Sequence, residues 1–325
     1  MSRQPGLDAP GALHHVMVRG IEGTDIFRTD QDRTDFLARL AERCESEALK
    51  VYGWALLTNH LHLLLRTGNR PISVSMRKIL TGYAVRFNRR HGRQGHLFQN
   101  RYKSILCEED PYLLELTRYI HLNPLRAGLV RTLKELGRYP WSGHSAIVGK
   151  VERRWQDTGE ILGYFGKRRE GAIKRYVAYM EEGITLGNRP ELGGGGLLRS
   201  VGGWSEVVSM RRRGIGIRSD ERILGSGGFV ERVIGEAEAK ERETLRLRRK
   251  VRDLGGLLRE VAEKNDLGEE EVRSLRRRRK AVRVTKLFCH LAVRKFGYTG
   301  ASVARFLGIT TSLANRYAAL GDVPE

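Results

Sequence analysis

The chain has 325 residues with 59 Lys or Arg and 38 Asp or Glu, which gives a formal net charge of +21. Because like charges repel, such an excess does not stabilise a fold, and it indicates a polyanionic partner, nucleic acid before any other. Three cysteines that lie far apart argue against a disulfide framework or a zinc site.

Short apolar runs and helical periodicity alternate along the first 150 residues. The patterns predict strands at 13–18, 51–57 and 60–66, an extended segment at 98–107, and helices at 29–48, at 72–90 and from 110 onwards. The order strand, helix, strand, strand, helix, strand, helix is typical of an α+β fold. We expect an antiparallel sheet covered by packed helices.

The composition changes twice further along the chain. Basic and aromatic residues at 150–180 favour short helices, and the glycine run at 193–196 lies in a region, 183–228, that is typical of a linker. From residue 231 onwards the chain is basic and helical. We therefore expect a first domain at 1–150, a helical extension with a glycine-rich linker at 151–230, and a mostly helical domain at 231–325.

Two histidines lie in the segment 59–65 (NHLHLLL), on a predicted strand. Side chains alternate across a strand, so His60 and His62 lie on one face and Leu61 on the other. Two imidazoles on one face of a rigid strand can bind a divalent metal, although nitrogen ligands alone do not select Mg²⁺. The alternative is a chance pair of histidines that hydrogen-bond to the backbone.

A tyrosine and an asparagine lie four residues apart in the segment 118–124 (RYIHLNP). On a helix, Tyr119 and Asn123 share a face, so an amide oxygen could act as a metal ligand beside a phenol. Asn123 could equally cap a new helix that begins at Pro124, because a residue before proline is disfavoured in a helix. Tyr119 taken alone could equally be a core residue.

Three segments together resemble the HUH tyrosine (Y1) transposases of the IS200/IS605 type, and more closely their REP-associated relatives. They are 59–65 (NHLHLLL), 95–104 (GHLFQNRYKS) and 118–130 (RYIHLNPLRAGLV), and the likeness covers residues 10–150. The resemblance implies that 1–150 is an HUH catalytic domain with a ferredoxin-like, RRM-like sheet. It also implies that Tyr119 attacks single-stranded DNA and leaves a 5′-phosphotyrosine and a free 3′-hydroxyl.

The resemblance further implies a cofactor and a substrate. A divalent metal, Mg²⁺ or Mn²⁺, would be held by His60, His62 and Asn123, and the DNA would carry hairpins or palindromic repeats that are transposed or processed. A phenol has a pKa of about 10 and is a poor nucleophile without activation, which a metal at the scissile phosphate would provide. Covalent storage of the phosphodiester energy removes the need for ATP, and no Walker-type loop is present in the sequence.

Basic residues near this predicted site are candidates for binding the DNA phosphates. Each taken singly could also belong to a solvated charged face. The candidates are Arg86, Arg89, Arg90, Arg93, Arg101 and Lys103.

Residues 276–319 resemble, more loosely, the DNA-binding domain of the replication initiator DnaA. The shared features are a basic lead-in, an apolar helix at 284–296 and a helix-turn-helix pattern at 299–319. The Asp-His-Ser/Thr box of that family is absent, and Thr310, Thr311 and Ser312 stand in its place. The second helix of such a motif enters the major groove of duplex DNA, which makes Thr311, Ser312, Asn315 and Arg316 candidate base contacts. The alternative is a small helical bundle with a charged surface.

Two other functions fit the same patterns. One is a catalytically inactive, sequence-specific DNA-binding regulator that keeps the fold, and the other is a metal-dependent RNA-binding protein. The complete set of His60, His62, Tyr119 and Asn123 favours the enzyme. We expect a monomer or homodimer in the bacterial cytoplasm, associated with the nucleoid and with no membrane partner, since no signal peptide or 18-residue apolar stretch is present.

Overall fold

The computed structural model describes residues 11–68, 70–187, 192, 220, 222–250, 253–273, 279–296 and 298–319. The chain divides into two compact units, 1–232 and 233–325. The glycine run at 193–196, within the predicted linker, lies outside the described residues, as do basic residues 276–278. In the parts of the chain that the structure describes, no helix is long and apolar enough to cross a membrane.

The first unit contains a sheet of five strands among its described residues. The strands are β1 (Leu13–Arg19), β2 (Lys50–Leu56), β3 (His60–Arg66), β4 (Lys103–Cys107) and β5 (Ile223–Leu224). The helices are α1 (Asp30–Glu47), α2 (Ile72–Arg90), α3 (Glu109–Arg126), α4 (Leu133–Arg138), α5 (Gly143–Ile147), α6 (Thr158–Gly163) and α7 (Arg169–Thr185), and α8 (Gly227–Lys250) begins near its end.

The strand order is β2-β3-β1-β4-β5, with β1 in the centre. β1 pairs antiparallel with β3 and β4, and β2 pairs antiparallel with β3. The predicted α+β fold is confirmed with one difference, because the sheet is mixed and not purely antiparallel. β5 lies parallel to β4, a direction that requires a long crossover, and α3 to α7 occur in the chain between these two strands.

The sheet is covered on both faces, as the alternation of apolar residues along its strands requires. Val16, Leu61 and Leu63 lie on the face that packs against α1 and α2. Leu13 and Leu64 belong to the core on the other face, together with Leu116 and Ile120 of α3. The two residues at positions 60 and 62 of β3 therefore point towards α3.

Several helix boundaries follow from local sequence. The hydroxyl of Thr29 accepts a hydrogen bond from the Asp32 backbone amide, and the Asp32 carboxylate accepts one from the Thr29 amide, which makes a complete capping box at the start of α1. The extended segment predicted at 98–107 is a strand only at 103–107, and Phe98 contributes an isolated bridge to Gly20.

Residues beyond 150 contribute to the core of the first unit. Ile161 of α6 and Tyr176 and Met180 of α7 belong to the apolar cluster that also holds Leu116 of α3. The described residues of 151–185, in the predicted helical extension, thus pack against the same face of the sheet as α3.

The described residues of the second unit form helices joined by short turns. After α8 it contains α9 (Leu254–Glu263), α10 (Glu269–Arg273), α11 (Arg279–His290), α12 (Gly300–Leu307) and α13 (Thr311–Ala319). Leu258, Phe288 and Val303 are fully buried in its core. Gly308 ends α12 in the left-handed conformation at a φ of 68°, which glycine adopts without steric cost, and a short turn then leads into α13.

Candidate active site

His60 and His62 lie on β3 with their rings on the face of the sheet that α3 covers. The ring centroids are 5.3 Å apart at an interplanar angle of 79°. Leu61, between the two histidines, and Leu63, after His62, are fully buried on the opposite face. Burial of these leucines fixes the register of β3, because a slip of one residue would exchange the two faces.

His62 is almost completely buried, with 6 % of its surface exposed. Its Nδ1 lies 3.0 Å from Nε2 of His15 on β1, and the two rings stack at 5.3 Å and 24°. Burial, and then the neighbouring His15 and His60, hold the pKa of His62 well below 6.5. The imidazole is therefore neutral at pH 7, which is the form that binds metals.

His60 is half-buried at the start of β3. Its Nδ1 lies 2.7 Å from the side-chain oxygen of Asn59, whose amide nitrogen donates to the carbonyl of Gly23. Burial, and then the charge of Arg19, lower the pKa of His60. Both histidines thus use Nδ1 in a hydrogen bond within the protein and keep Nε2 for another ligand.

Tyr119 lies on α3, half-buried, with its ring against both histidines of the buried pair. Its ring centroid is 5.9 Å from that of His62 at 87° and 6.0 Å from that of His15 at 78°. The guanidinium of Arg126 lies 5.6 Å from the centre of the Tyr119 ring. The Tyr119 phenol therefore lies beside the His62 imidazole and a positive charge within one chain, and His60 is the next ring beyond His62.

Asn123 lies inside α3, one turn after Tyr119. Its side-chain amide donates to the Tyr119 carbonyl at 3.1 Å, and the helix continues through Pro124 to Arg126. The alternative in which Asn123 caps a new helix is therefore wrong. The side-chain oxygen of Asn123 is the atom that could bind a metal, because it carries the lone pairs of the amide. The nitrogen donates to the backbone.

His60, His62 and Asn123 offer two imidazole nitrogens and one amide oxygen, donor atoms that are chemically compatible with a divalent cation. Among the described residues no group of three His, Cys, Asp or Glu side chains is placed to hold a metal ion. A third protein ligand would have to be of another type, such as an asparagine oxygen. An amide oxygen suits both Mg²⁺ and Mn²⁺. Imidazole nitrogens alone do not select Mg²⁺.

The basic candidates of the first unit differ in their surroundings. Arg86 forms an ion pair with Asp35 at 3.1 Å, and Arg90 forms one with the fully buried Asp32, so both have roles in joining α1 to α2. The guanidinium of Arg93 lies 6.0 Å from the centre of the Phe87 ring. The other three candidates, Arg89, Arg101 and Lys103, are exposed.

The four candidate base contacts of the second unit lie together on α13. Thr311, Ser312, Asn315 and Arg316 are all exposed, whereas Ala314 and Ala318 on the opposite side of the helix are buried. One face of α13 thus packs into the core and the other carries polar side chains.

A known family model matches part of the first unit. Residues 11–123 match the family model described as "Transposase IS200 like", a segment that contains His60, His62, Tyr119 and Asn123. This part of the chain is therefore similar to the IS200-like transposases. Among solved structures, the chain is similar to "Structure of the REP associates tyrosine transposase bound to a REP hairpin", with 16 % identity and a TM-score of 0.39 over 48 % of this chain and 98 % of that one. No curated protein matches the chain.

Two groups beside Tyr119 were missed by the sequence patterns, namely His15 and Arg126. The pair His14 and His15 on β1 was a visible signal, since alternation places one of the two on the α3 face. The partner of His15 at position 62 depends on the register between β1 and β3, which no local pattern specifies.

Proposed function

We propose that this protein cleaves and rejoins single-stranded DNA with Tyr119 as the nucleophile. The observation that carries the proposal is the placement of the Tyr119 ring 5.9 Å from His62, which in turn lies beside His60. The IS200-like family of residues 11–123 and the net charge of +21 support DNA as the substrate. Hairpin-bearing or palindromic DNA is the substrate class that the sequence resemblance favours.

In the proposed reaction the Tyr119 hydroxyl oxygen attacks phosphorus. The bond from that oxygen to phosphorus forms, the bond from phosphorus to the 3′ oxygen breaks, and the phenolic proton is transferred, in net terms, to the departing 3′-hydroxyl. The 5′-phosphate stays on Tyr119 until a second 3′-hydroxyl reverses the linkage, so no external energy source is consumed.

The chain's own residues would hold and orient the reacting groups. His60 and His62 would bind a divalent metal through Nε2, and Asn123 would bind it through its amide oxygen. Such a metal supplies charge neutralisation at the scissile phosphate. Arg126, beside the Tyr119 ring, would favour negative charge that develops on the phenolic oxygen and on the phosphate.

The proposal is tested by incubating the protein with hairpin-bearing single-stranded DNA and Mg²⁺ or Mn²⁺, followed by a denaturing gel. We expect a covalent adduct from the wild type and none from Tyr119→Phe. Tyr112→Phe is the matched control, since Tyr112 is a half-buried tyrosine on the same helix, and it should keep the adduct. His60→Ala should lose the adduct and retain DNA binding.

The proposal is wrong if the wild type forms no adduct with any such substrate, or if Tyr119→Phe still forms one. DNA binding without an adduct in the wild type would instead support the inactive regulator. Preference for hairpin RNA over hairpin DNA would support the RNA-binding alternative.

We also propose that the second unit binds duplex DNA through α13. The support is the exposure of Thr311, Ser312, Asn315 and Arg316 on one face of a helix that follows a short turn. Arg316→Ala should weaken binding to the specific duplex by about tenfold or more, in line with the loss of a base contact, and leave adduct formation unchanged. Arg294→Ala removes the same charge from an exposed position outside α13 and should have a much smaller effect. Equal effects of the two variants would contradict this role of α13.

A further inference from the structure

His15 is a fully buried histidine in the central strand of the sheet. It lies opposite Leu64 in the pairing of β1 with β3, and Met17 lies opposite His62, so His15 is a diagonal neighbour of His62 on the same face. Neither the patterns in the sequence nor the reaction proposed above gives this residue a task.

Both ring nitrogens of His15 are engaged. Nδ1 lies 3.2 Å from the backbone carbonyl oxygen of Leu192, and Nε2 lies 3.0 Å from Nδ1 of His62. A carbonyl oxygen can only accept a hydrogen bond, so Nδ1 of His15 carries a proton and donates it. A second proton on Nε2 would make His15 a cation in a fully buried position, which is costly.

The order of donors and acceptors then determines the protonation of His62. With Nδ1 protonated and the ring neutral, Nε2 of His15 holds a lone pair and accepts from His62. Nδ1 of His62 must therefore carry the proton, and Nε2 of His62 must carry the lone pair. In water, by contrast, a neutral imidazole is free to exchange between its two tautomers.

We propose that His15 is a positioning residue that holds His62 in the Nδ1–H tautomer and so presents Nε2 as a ligand to a divalent cation. This inference rests on the function proposed above. His15 is not itself a ligand, since its two nitrogens face Leu192 and His62. The stacking of the two rings at 24° also fixes the orientation of His62.

His60 is held in the same way by a different group. The Asn59 nitrogen donates to the Gly23 carbonyl, which turns the amide oxygen towards His60. That oxygen can only accept a hydrogen bond, so Nδ1 of the neutral His60 donates and Nε2 is left with the lone pair. His60 and His62 therefore both present Nε2, because in each ring Nδ1 donates to a hydrogen-bond acceptor of the protein.

The test is long-range ¹H–¹⁵N NMR of the full-length, metal-free protein at pH 7.5, which identifies the protonated nitrogen of each histidine. We expect Nδ1 of His62 to be protonated in the wild type. His15→Phe keeps a ring of similar size but removes the acceptor, so His62 should gain a large fraction of the Nε2–H tautomer. His15→Gln supplies a carboxamide oxygen as acceptor and should restore the wild-type tautomer.

Manganese affinity gives a second readout. His15→Phe should weaken Mn²⁺ binding by about 10- to 100-fold, the usual effect of losing a group that orients a metal-binding histidine, and His15→Gln should recover most of it. The matched control is His14→Phe, a change at a buried histidine on the opposite face of β1, which should leave the His62 tautomer and the Mn²⁺ affinity unchanged.

A wild-type His62 protonated on Nε2, or a tautomer that His15→Phe leaves unchanged, overturns the proposal. The wild-type spectrum decides the matter even if a variant fails to fold. A His62 tautomer as expected together with no DNA adduct would sink the proposed function and leave the positioning role intact. An adduct together with an Nε2-protonated His62 would do the reverse.

Discussion

Acid should destabilise the first unit through histidines buried in the neutral form. Burial lowers the pKa of His14 and of His144 from 6.5 to about 4. In the unfolded chain both histidines regain the ordinary pKa of 6.5. Below pH 6.5 the unfolded chain therefore binds protons at these two groups, whereas the folded chain binds them only near pH 4. The contribution of these two histidines to the free energy of unfolding is thus fully present above about pH 7 and is lost as the pH falls towards 4.

The size of this loss follows from the two pKa values. Each pKa unit corresponds to about 1.4 kcal/mol, so lowering the pH to 5 costs about 2 kcal/mol per histidine. His14 and His144 together then account for about 4 kcal/mol, against a typical total stability of 5–15 kcal/mol. His62 and His121, whose pKa values are held well below 6.5 chiefly by burial, add to the loss.

Urea denaturation at pH 8 and pH 5, followed by near-ultraviolet circular dichroism, measures the effect. At a denaturant dependence of about 2 kcal/mol per molar urea, the midpoint should fall by about 2 M or more in the wild type. His144→Asn keeps a polar group near the Tyr176 hydroxyl, to which Nδ1 of His144 hydrogen-bonds at 3.0 Å, but cannot titrate. It should reduce the difference between the two pH values by about 2 kcal/mol.

His14→Asn, with its amide near the Ser104 hydroxyl, should give a similar reduction, and the double variant should combine the two. The reasoning fails if the wild type is equally stable at pH 8 and pH 5. It also fails if His144→Asn retains the full wild-type difference.

Two further perturbations test the packing of each unit. A Cβ on Gly143 would lie 2.6 Å from Nε2 of His121, so Gly143→Ala should lower the free energy of unfolding, measured by urea titration, by about 1–3 kcal/mol. A Cβ on Gly163 would have nothing within 4 Å, so the control Gly163→Ala should be neutral or slightly stabilising. Equal effects of the two variants would refute the close contact at Gly143. In the second unit, the Thr299 hydroxyl accepts a hydrogen bond from the Ser302 backbone amide at 3.0 Å and caps α12. Thr299→Ala should destabilise α12 by about 1 kcal/mol and accelerate amide hydrogen exchange in this helix. Unchanged exchange would contradict the capping role.

Several features of the site were accessible from local sequence because they depend on local geometry. The alternation of side chains on a strand placed His60 and His62 on one face, and the helical period placed Tyr119 and Asn123 together. The charge of the chain and the three motifs pointed to DNA and to a tyrosine transposase, and the family match of residues 11–123 agrees with them. These inferences needed no knowledge of which distant residues meet.

Other features could not be read from the sequence because they depend on packing. The ion pairs of Arg86 with Asp35 and of Arg90 with Asp32 join two helices, and no local pattern reveals that these arginines already have acidic partners. The place of Asn123 was ambiguous because Pro124 disfavours a helix by its local preference. Burial of α3 against the sheet outweighs that preference and carries the helix to Arg126.

The amino-acid sequence by itself therefore determined which residue types are available for the chemistry and which of them share a strand face or a helix face. Only the tertiary structure decided which of these faces meet. The register of β1 on β3 places His15 beside His62, 47 positions away in the chain, and the Leu192 carbonyl lies a further 130 positions beyond His62. Hydrogen bonds of this kind arise from long-range packing, and they assign the tautomer that makes His62 a candidate metal ligand.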